Sequence, residues 1–542
     1  MNDPLTLVST RRTPQSEPDP AVATRQKRNA AGGYAFQLSD ETKIHRFLTL
    51  GTTGGTYYTG ERELTKTNAE VILAAARDRG EWLVEQARTI SVAGRAPRNN
   101  QAIFALAAVA GLGNEAARKA AFSALPEVCR IGTHLFLFAT YVEQFRGWGR
   151  GLRRAVANWY LDRPVADTAY QAVKYRQREG WSHADLLRLA HPEALSDDLV
   201  RRSLFRWIVD GERDGLTPPL VHAFEAAQTV GPRAVAELID AHPLSWEMLP
   251  DSIRAEPIVW KALIRKGMPQ TALMRQLPTL TRLGVLDDPA TLAVVTTQLM
   301  DRDRLRKARV HPVNVLVAQR TYASGHGMRG SSTWEPKRQV IDALDAAFYA
   351  AFGAVEPANK RTLIALDVSG SMGFDAISGL PITPREASAA LALVTMATEP
   401  SCDVVGFTGG GGYYSRRQSK EPISELSISP RQRLDDAIRS VSDLPFGSTD
   451  CALPMLWAAE KGRDYDTILV ITDNETWAGH VHPHQALVEY RRKVGHDVRQ
   501  IVIGMTANDV SIADPNDPHT LDVAGFDSAV PNLVADFSRG QV

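Results

Sequence analysis

The hydrophobic pattern of this 542-residue chain changes character near Asn359, and that change restricts the fold more than any other feature. Over residues 42–352 apolar side chains recur every three to four positions, broken by Gly and Pro, as in 68–77, 100–109 and 260–265. That period predicts amphipathic helices, and almost no alternating strand patterns interrupt it. Many short helices over so long a stretch fit stacked pairs of the HEAT type, which build extended curved surfaces rather than one deep pocket. The repeats are too divergent for a period to be assigned. After Asn359, short branched-aliphatic runs at 361–367, 402–408, 466–472 and 497–504 alternate with helical stretches at 385–398, 431–441 and 484–494. This alternation predicts a parallel sheet covered on both faces, a doubly wound α/β domain whose ligands sit at the carboxyl ends of the strands. The expected fold class is α plus α/β: helical repeats over 31–358, then an α/β domain over 359–542. Residues 1–30, rich in Pro, Thr, Ser, Asp and Arg, are expected to form a flexible arm.

A formal charge of zero conceals a division along the chain. Residues 361–542 carry 15 Lys+Arg against 24 Asp+Glu, which leaves 47 against 38 in the first 360 residues. A basic part joined to an acidic one suggests a polyanion on the first, because phosphate contacts supply most sequence-independent nucleic-acid affinity. A merely solvated surface is the bland alternative. Cys129, Cys402 and Cys451 lie far apart with no Cys-x-x-Cys spacing, so inert thiols are expected rather than a disulfide framework or zinc ribbon. The chain has no run of about 18 apolar residues. Nor does its beginning read as a signal peptide, so the expectation is a cytoplasmic protein with no membrane contact.

One constellation carries chemistry. The run Asp367-Val368-Ser369-Gly370-Ser371 follows the first predicted strand, and Thr449 and Asp473 lie in later loops, Asp473 directly after the third strand. A carboxylate and two hydroxyls at alternate positions of a strand-to-helix loop turn toward one point, and hard oxygen donors suit one divalent cation, Mg²⁺ in particular. The set resembles the metal-ion-dependent adhesion site of von Willebrand factor A domains. Residues Asp367, Ser369, Ser371, Thr449 and Asp473 are therefore the expected metal ligands. The glycine run Gly409 to Gly412 lacks a phosphate-binding lysine and reads as a mobile loop. His480, His482 and His484 alternate without a fourth ligand at a finger-like spacing and read as a surface loop. No Ser-His-Asp or Cys-His arrangement signals catalysis, so no enzyme is expected.

Several separated motifs in the helical part resemble the TROVE domain of the Ro autoantigen family. They include Arg46 to Tyr58 with Asn68-Ala69-Glu70; Gly149 to Arg154 leading to Trp159-Tyr160; and Lys174 to His191. Met268 to Arg275 and His311-Pro312 leading on to Gly327 complete the series. The resemblance runs from about Ala31 to the C-terminus, because Ro proteins also end in a von Willebrand A domain with this kind of metal site. It implies a ring of helical repeats that binds Y RNA on its outer basic surface and admits single-stranded ends of misfolded or unprocessed non-coding RNA to its hole. It also implies, for bacterial members, a role in RNA quality control beside a 3′-to-5′ exoribonuclease, polynucleotide phosphorylase. No function is carried onto the N-terminal arm, where the likeness fails.

The segment from Lys174 to His191 supports an RNA role on its own. Lys174, Arg178 and His183 stand four and five apart, near one helical face across a Gly-Trp-Ser turn, with Arg188 beyond. Ser182 is placed to cap the following helix with Asp185, giving a helix start that favours phosphate. His183 also matches a histidine that the family uses for Y RNA; packing of Trp181 and His183 between repeats is the competing reading. Arg130, Thr133, His134, Arg150, Arg153 and Arg154 are further RNA candidates, against a solvated helix face. A second function remains open, a metal-dependent protein-interaction module with the helical ring as scaffold.

Overall fold

The chain is described here by a computed structural model covering residues 12–541 apart from 51–60, 179, 194–196, 328–330, 353–355, 375–381, 410–421, 431, 443–446, 507 and 526–529. The helical periodicity becomes a succession of short helices from Asp40–Leu50 to Arg338–Ala351. The three stretches named above fall within Glu61–Asp78, Asn100–Leu112 and Pro257–Lys266. Asn100–Leu112 is apolar almost all round because Glu61–Asp78, Gly80–Ala93, Glu115–Val128 and Gly132–Glu143 all pack against it. The array closes on itself. Nε2 of His311 lies 3.2 Å from the main-chain oxygen of Arg95, and Asn314 Nδ2 donates to the oxygen of Pro97 at 3.3 Å. An early turn thereby meets a late one, which makes the array a ring.

The C-terminal sheet has six strands in the order Thr520–Ala524, Arg499–Gly504, Thr467–Thr472, Thr362–Asp367, Cys402–Phe407 and Ile423–Glu425. All pairs are parallel except the last, where an antiparallel edge strand follows Cys402–Phe407. The four predicted strands are present; the two outermost strands are additional. Along Thr362–Asp367, Ile364 and Leu366 join one core while Leu363 and Ala365 join another, as the two-residue period of a strand buried on both faces requires. The first of these cores runs without interruption from the second half of the helical array into the sheet, through Val340, Leu344 and Phe348 to Leu391 and Ile364. The two parts therefore share an interior rather than hanging on a linker.

The flexible-arm expectation is overturned for residues 12–30. Gln15 is fully buried; its Nε2 donates to Asp450 Oδ1 at 2.7 Å and to the oxygen of Val481 at 2.8 Å, and its Oε1 accepts from Thr476. Strands Gln26–Arg28 and Tyr34–Gln37 form a small antiparallel sheet with Val510–Ser511. Gly33 packs so closely that a Cβ there would run into the carbonyl oxygen of Thr476. Residues 12–38 are thus part of the C-terminal domain, held mainly by polar side chains, and for that reason they showed no apolar period. The histidine loop is corrected with them. His482 is fully buried with Nε2 2.8 Å from the oxygen of Glu17, and His484 Nε2 lies 2.8 Å from Asp19 Oδ2. The stretch expected as a surface loop is the seat of the arm. Residues 1–11 and the glycine run from Gly410 onward lie outside the described residues.

Cys129 and Cys451 are buried, with thiols pushed up by that burial, and the half-buried Cys402 is pushed up to about 12 by burial and then by Glu399. Among the described residues no helix is long and apolar enough to cross a membrane.

Candidate functional site

The sheet order reverses between Thr362–Asp367 and Thr467–Thr472: the chain leaves the first toward Cys402–Phe407 and returns on the other side to build the second. Crevices at such a switch point, outside the carboxyl ends, are where doubly wound sheets bind ligands. Asp367 ends one of these strands and Asp473 follows the other. The five expected metal ligands are each at most 2 % exposed, and the loop before Thr449 meets the Asp367 loop through a 3.3 Å hydrogen bond from Gly370 N to the oxygen of Gly447. Asp367 Oδ1 accepts from the main-chain N–H of Ser369 at 2.9 Å, and Oδ2 from Thr472 Oγ1 at 2.6 Å. The hydroxyls of Ser369 and Ser371 are 3.1 Å apart. The oxygen of Thr449 is fixed by the N–H groups of Trp477 and Ala478 at 3.1 and 3.0 Å, while its buried hydroxyl has no partner.

The electrostatics of the loop are unbalanced. Burial raises the Asp367 carboxyl, against hydrogen bonds from Ser369 and Thr472 and the charge of Arg385. Asp473 is pushed well above the usual carboxylate range by burial, then by the charges of Asp367 and Glu475. Arg385 binds the main chain of Val368 and Ser369, and its charge acts on Asp367. Two buried carboxylates, two facing hydroxyls and an orphaned third hydroxyl are oxygen donors of the kind that hard divalent cations take, so the chemistry of these residues fits such an ion. No group of three or more His, Cys, Asp or Glu side chains suited to a metal occurs among the described residues, so any site here must draw on hydroxyls.

The RNA candidates separate into two groups. The capping box is present: Ser182 Oγ accepts from Asp185 N at 3.2 Å and Asp185 Oδ2 accepts from Ser182 N at 2.9 Å. The single helical face is not. The helix Val165–Lys174 ends at Lys174, and Arg178 sits on a two-stranded hairpin opposite Trp181. Lys174 is turned inward, its side chain 8 % exposed, with Nζ 3.5 Å from Glu247 and over the rings of Tyr170 and Tyr175. His183 is corrected as a contact residue: it is 2 % exposed, packs against Phe136, Trp159 and Tyr160, and shares a 2.7 Å hydrogen bond with Tyr160 Oη. Burial depresses its imidazole to about 3, so it is a neutral core residue. His134 is depressed to about 4 by burial, then by Arg130, and stands beside the half-buried Thr133. Arg130 is half-buried and spends its guanidinium on Ser91 Oγ and the oxygen of Glu127.

Arg150, Arg153, Arg154, Arg178 and Arg188 are exposed. Arg188 donates to the oxygen of Val209 at 2.7 Å. Four of these arginines flank a feature that the sequence reading missed. Trp181, paired with Arg178, lies 5.8 Å centroid to centroid from Trp148, whose main-chain oxygen accepts from Arg153 Nε at 3.0 Å. Arg150 and Arg154 stand one turn apart on the helix that begins two residues after Trp148. Half-buried indoles interleaved with exposed guanidiniums offer stacking faces and phosphate contacts together. The signal was available in Trp148-Gly149-Arg150, but only the hairpin brings Trp181 to it.

A closed helical-repeat array sharing its core with a von Willebrand A-type sheet, whose carboxylate and hydroxyl loops meet at the switch point, defines the class of protein. The TROVE domain profile matches residues 27–214 and 240–324, and the Ro60 vWA domain profile matches residues 361–538. The chain is 40 % identical to the RNA-binding protein RO60 of Deinococcus radiodurans over the full length of both chains. It is 34 % identical to the RNA-binding protein RO60 of Caenorhabditis elegans, over 96 % of this chain and 91 % of that one. The crystal structure of the Deinococcus radiodurans RO (RSR) protein superposes with a TM-score of 0.70, covering 93 % of this chain and all of the other. The chain belongs to the Ro60 family of TROVE-domain proteins.

Proposed function

We propose that this protein is an RNA-binding ring that acts by binding rather than by catalysis. The observation that carries the reading is the continuous surface Arg178–Trp181–Trp148–Arg153, with Arg150 and Arg154 beside it. The relatives named RNA-binding proteins support it. Y RNA on this outer surface and single-stranded ends of misfolded or precursor non-coding RNA in the ring are the substrates the reading assigns. Cytoplasmic RNA quality control or processing beside a 3′-to-5′ exoribonuclease such as polynucleotide phosphorylase is the setting. Native purification followed by extraction and sequencing of bound RNA tests it: enrichment of small structured RNA at moderate salt is expected, and its absence would sink the reading.

One divalent cation, Mg²⁺, held by Asp367, Ser369, Ser371, Thr449 and Asp473, belongs to the same proposal, on the strength of the orphaned Thr449 hydroxyl and the two buried carboxylates. The same observations favour a second reading in which the metal loop grips an acidic side chain of a protein partner and the ring is its scaffold. Pull-down of protein partners with and without chelator separates the two readings.

A further inference from the structure

Trp246 begins the short turn Trp246–Met248 and lines a cavity of about 520 Å³ together with Trp260, Arg254, Gln276, Thr279 and Arg282. That volume lies within the range of roughly 300–1,000 Å³ typical of small-molecule sites. Two of its walls are indoles, with centroids 6.3 Å apart and planes inclined by 28°. They are not equivalent. Trp260 is 1 % exposed and its Nε1 donates to the oxygen of Arg254 at 2.7 Å, so it is a structural wall. Trp246 is half-buried, and its buried Nε1 has no acceptor. The Arg254 guanidinium lies 5.4 Å from the Trp246 ring centroid and is ion-paired with Asp251, while Arg282 is exposed along the same cavity.

Indole faces next to guanidiniums match a flat base carrying a phosphate, since stacking accepts any base and arginine accepts the anion. An amide and a hydroxyl, Gln276 and Thr279, supply further partners for a base edge or a sugar hydroxyl. A bare anion would engage the arginines and leave the aromatic walls unused. We propose that this cavity binds one unpaired ribonucleotide, its base against Trp246 and its phosphate at Arg254 and Arg282. The nucleotide is either free or part of a single-stranded RNA; only the second source rests on the RNA-binding reading above.

The full chain, stripped of nucleic acid, is titrated calorimetrically with AMP, with ribose 5-phosphate and with a short unpaired oligoribonucleotide. AMP is expected to bind about tenfold more tightly than ribose 5-phosphate, the difference being base stacking. Arg282→Gln, at an exposed residue, is expected to weaken AMP severalfold, and Trp246→Ala to weaken it by loss of the stacking face. Competition between oligoribonucleotide and AMP would assign the site to RNA; AMP binding untouched by the oligoribonucleotide would assign it to a free nucleotide. Equal affinity for AMP and ribose 5-phosphate, or indifference of AMP binding to both substitutions, would overturn the proposal. If structured RNA fails to bind while AMP binds here, the RNA reading falls and this one stands; the reverse outcome overturns this one alone.

Discussion

Arg46, on the first helix of the ring, donates from Nη1 to Oδ1 of Asn508 at 2.6 Å, and the Asn508 amide in turn binds the main-chain oxygen of Asp473. The same guanidinium pairs with Asp522 at 2.7 Å and is fully buried. A side chain of the repeat array is thus two hydrogen bonds from Asp473, a residue of the proposed metal site. Removing one member of a buried charged pair strands the other, at a cost of about 3–5 kcal/mol. Arg46→Gln is expected to lower the unfolding midpoint and to expose the junction between the helix Asp40–Leu50 and the sheet to protease. A variant as stable and resistant as the parent would mean that the two parts do not depend on this tether.

The docked arm makes a second prediction. Gln15→Ala removes one buried amide and leaves Asp450 and Thr476 without it, which is expected to cost about 1–3 kcal/mol. Gly33→Ala should act in the same direction, because no side chain fits against Thr476. Chemical denaturation of both variants measures this. Unchanged stability in both would return residues 12–30 to the status of a free arm.

Acid is expected to weaken the ring through its buried imidazoles. Burial holds His183 and His311 down to about 3, and burial with the charge of Arg130 holds His134 down to about 4, against an ordinary value near 6.5. These groups take up a proton on unfolding but not in the folded chain. The stability they contribute is therefore complete above about pH 6.5 and is lost as pH falls toward the folded values, by up to ~1.4 kcal/mol per pH unit for each group. His183→Gln, which keeps a hydrogen-bonding group but does not titrate, should flatten the pH dependence of urea unfolding by one group's share. Parallel curves for parent and variant would mean that His183 takes up its proton as readily in the fold as in the unfolded chain.

Much of this architecture was legible before the structure, and the failures share a cause. The strand Thr362–Asp367 is so uniformly branched and apolar that both its existence and the position of Asp367 at its end follow from the pattern, and Ser182 with Asp185 reads directly as a helix cap. Residue spacing failed wherever tertiary contacts between distant segments decide the outcome. Gln15 buries an amide instead of a hydrocarbon, so composition disguised an ordered segment as an arm. His183 lies in a motif that the resemblance marks for RNA, yet Phe136, Trp159 and Tyr160 enclose it, and nothing in its spacing tells a contact from a support. The Trp148–Trp181 pair joins a residue just before the helix Arg150–Leu161 to one on the hairpin before the helix His183–Ala190, a proximity that no local pattern encodes.

The metal proposal predicts that Asp367→Ala abolishes Mg²⁺ binding while leaving most RNA affinity in place. The substitution removes one of two carboxylates from a site whose remaining nearby donors are hydroxyls, and the acidic domain repels phosphate rather than attracting it. Calorimetric titration with Mg²⁺ and a gel shift on the same folded variant check both halves. A loss of RNA affinity of about tenfold, ~1.4 kcal/mol, with the ring intact would tie the ion to RNA binding or to ring closure.

The central claim, that RNA lies on the arginine and tryptophan surface of the ring, is tested most directly by the salt dependence of binding to a small structured RNA. Parent chain, Arg153→Gln with Arg178→Gln, and Lys461→Gln in the acidic domain as control are compared. The double variant is predicted to bind more weakly and to show a slope of log affinity against log salt shallower by about 0.7–0.9 for each phosphate no longer neutralised, with the control unchanged. An affinity and slope identical to those of the parent would contradict the assignment.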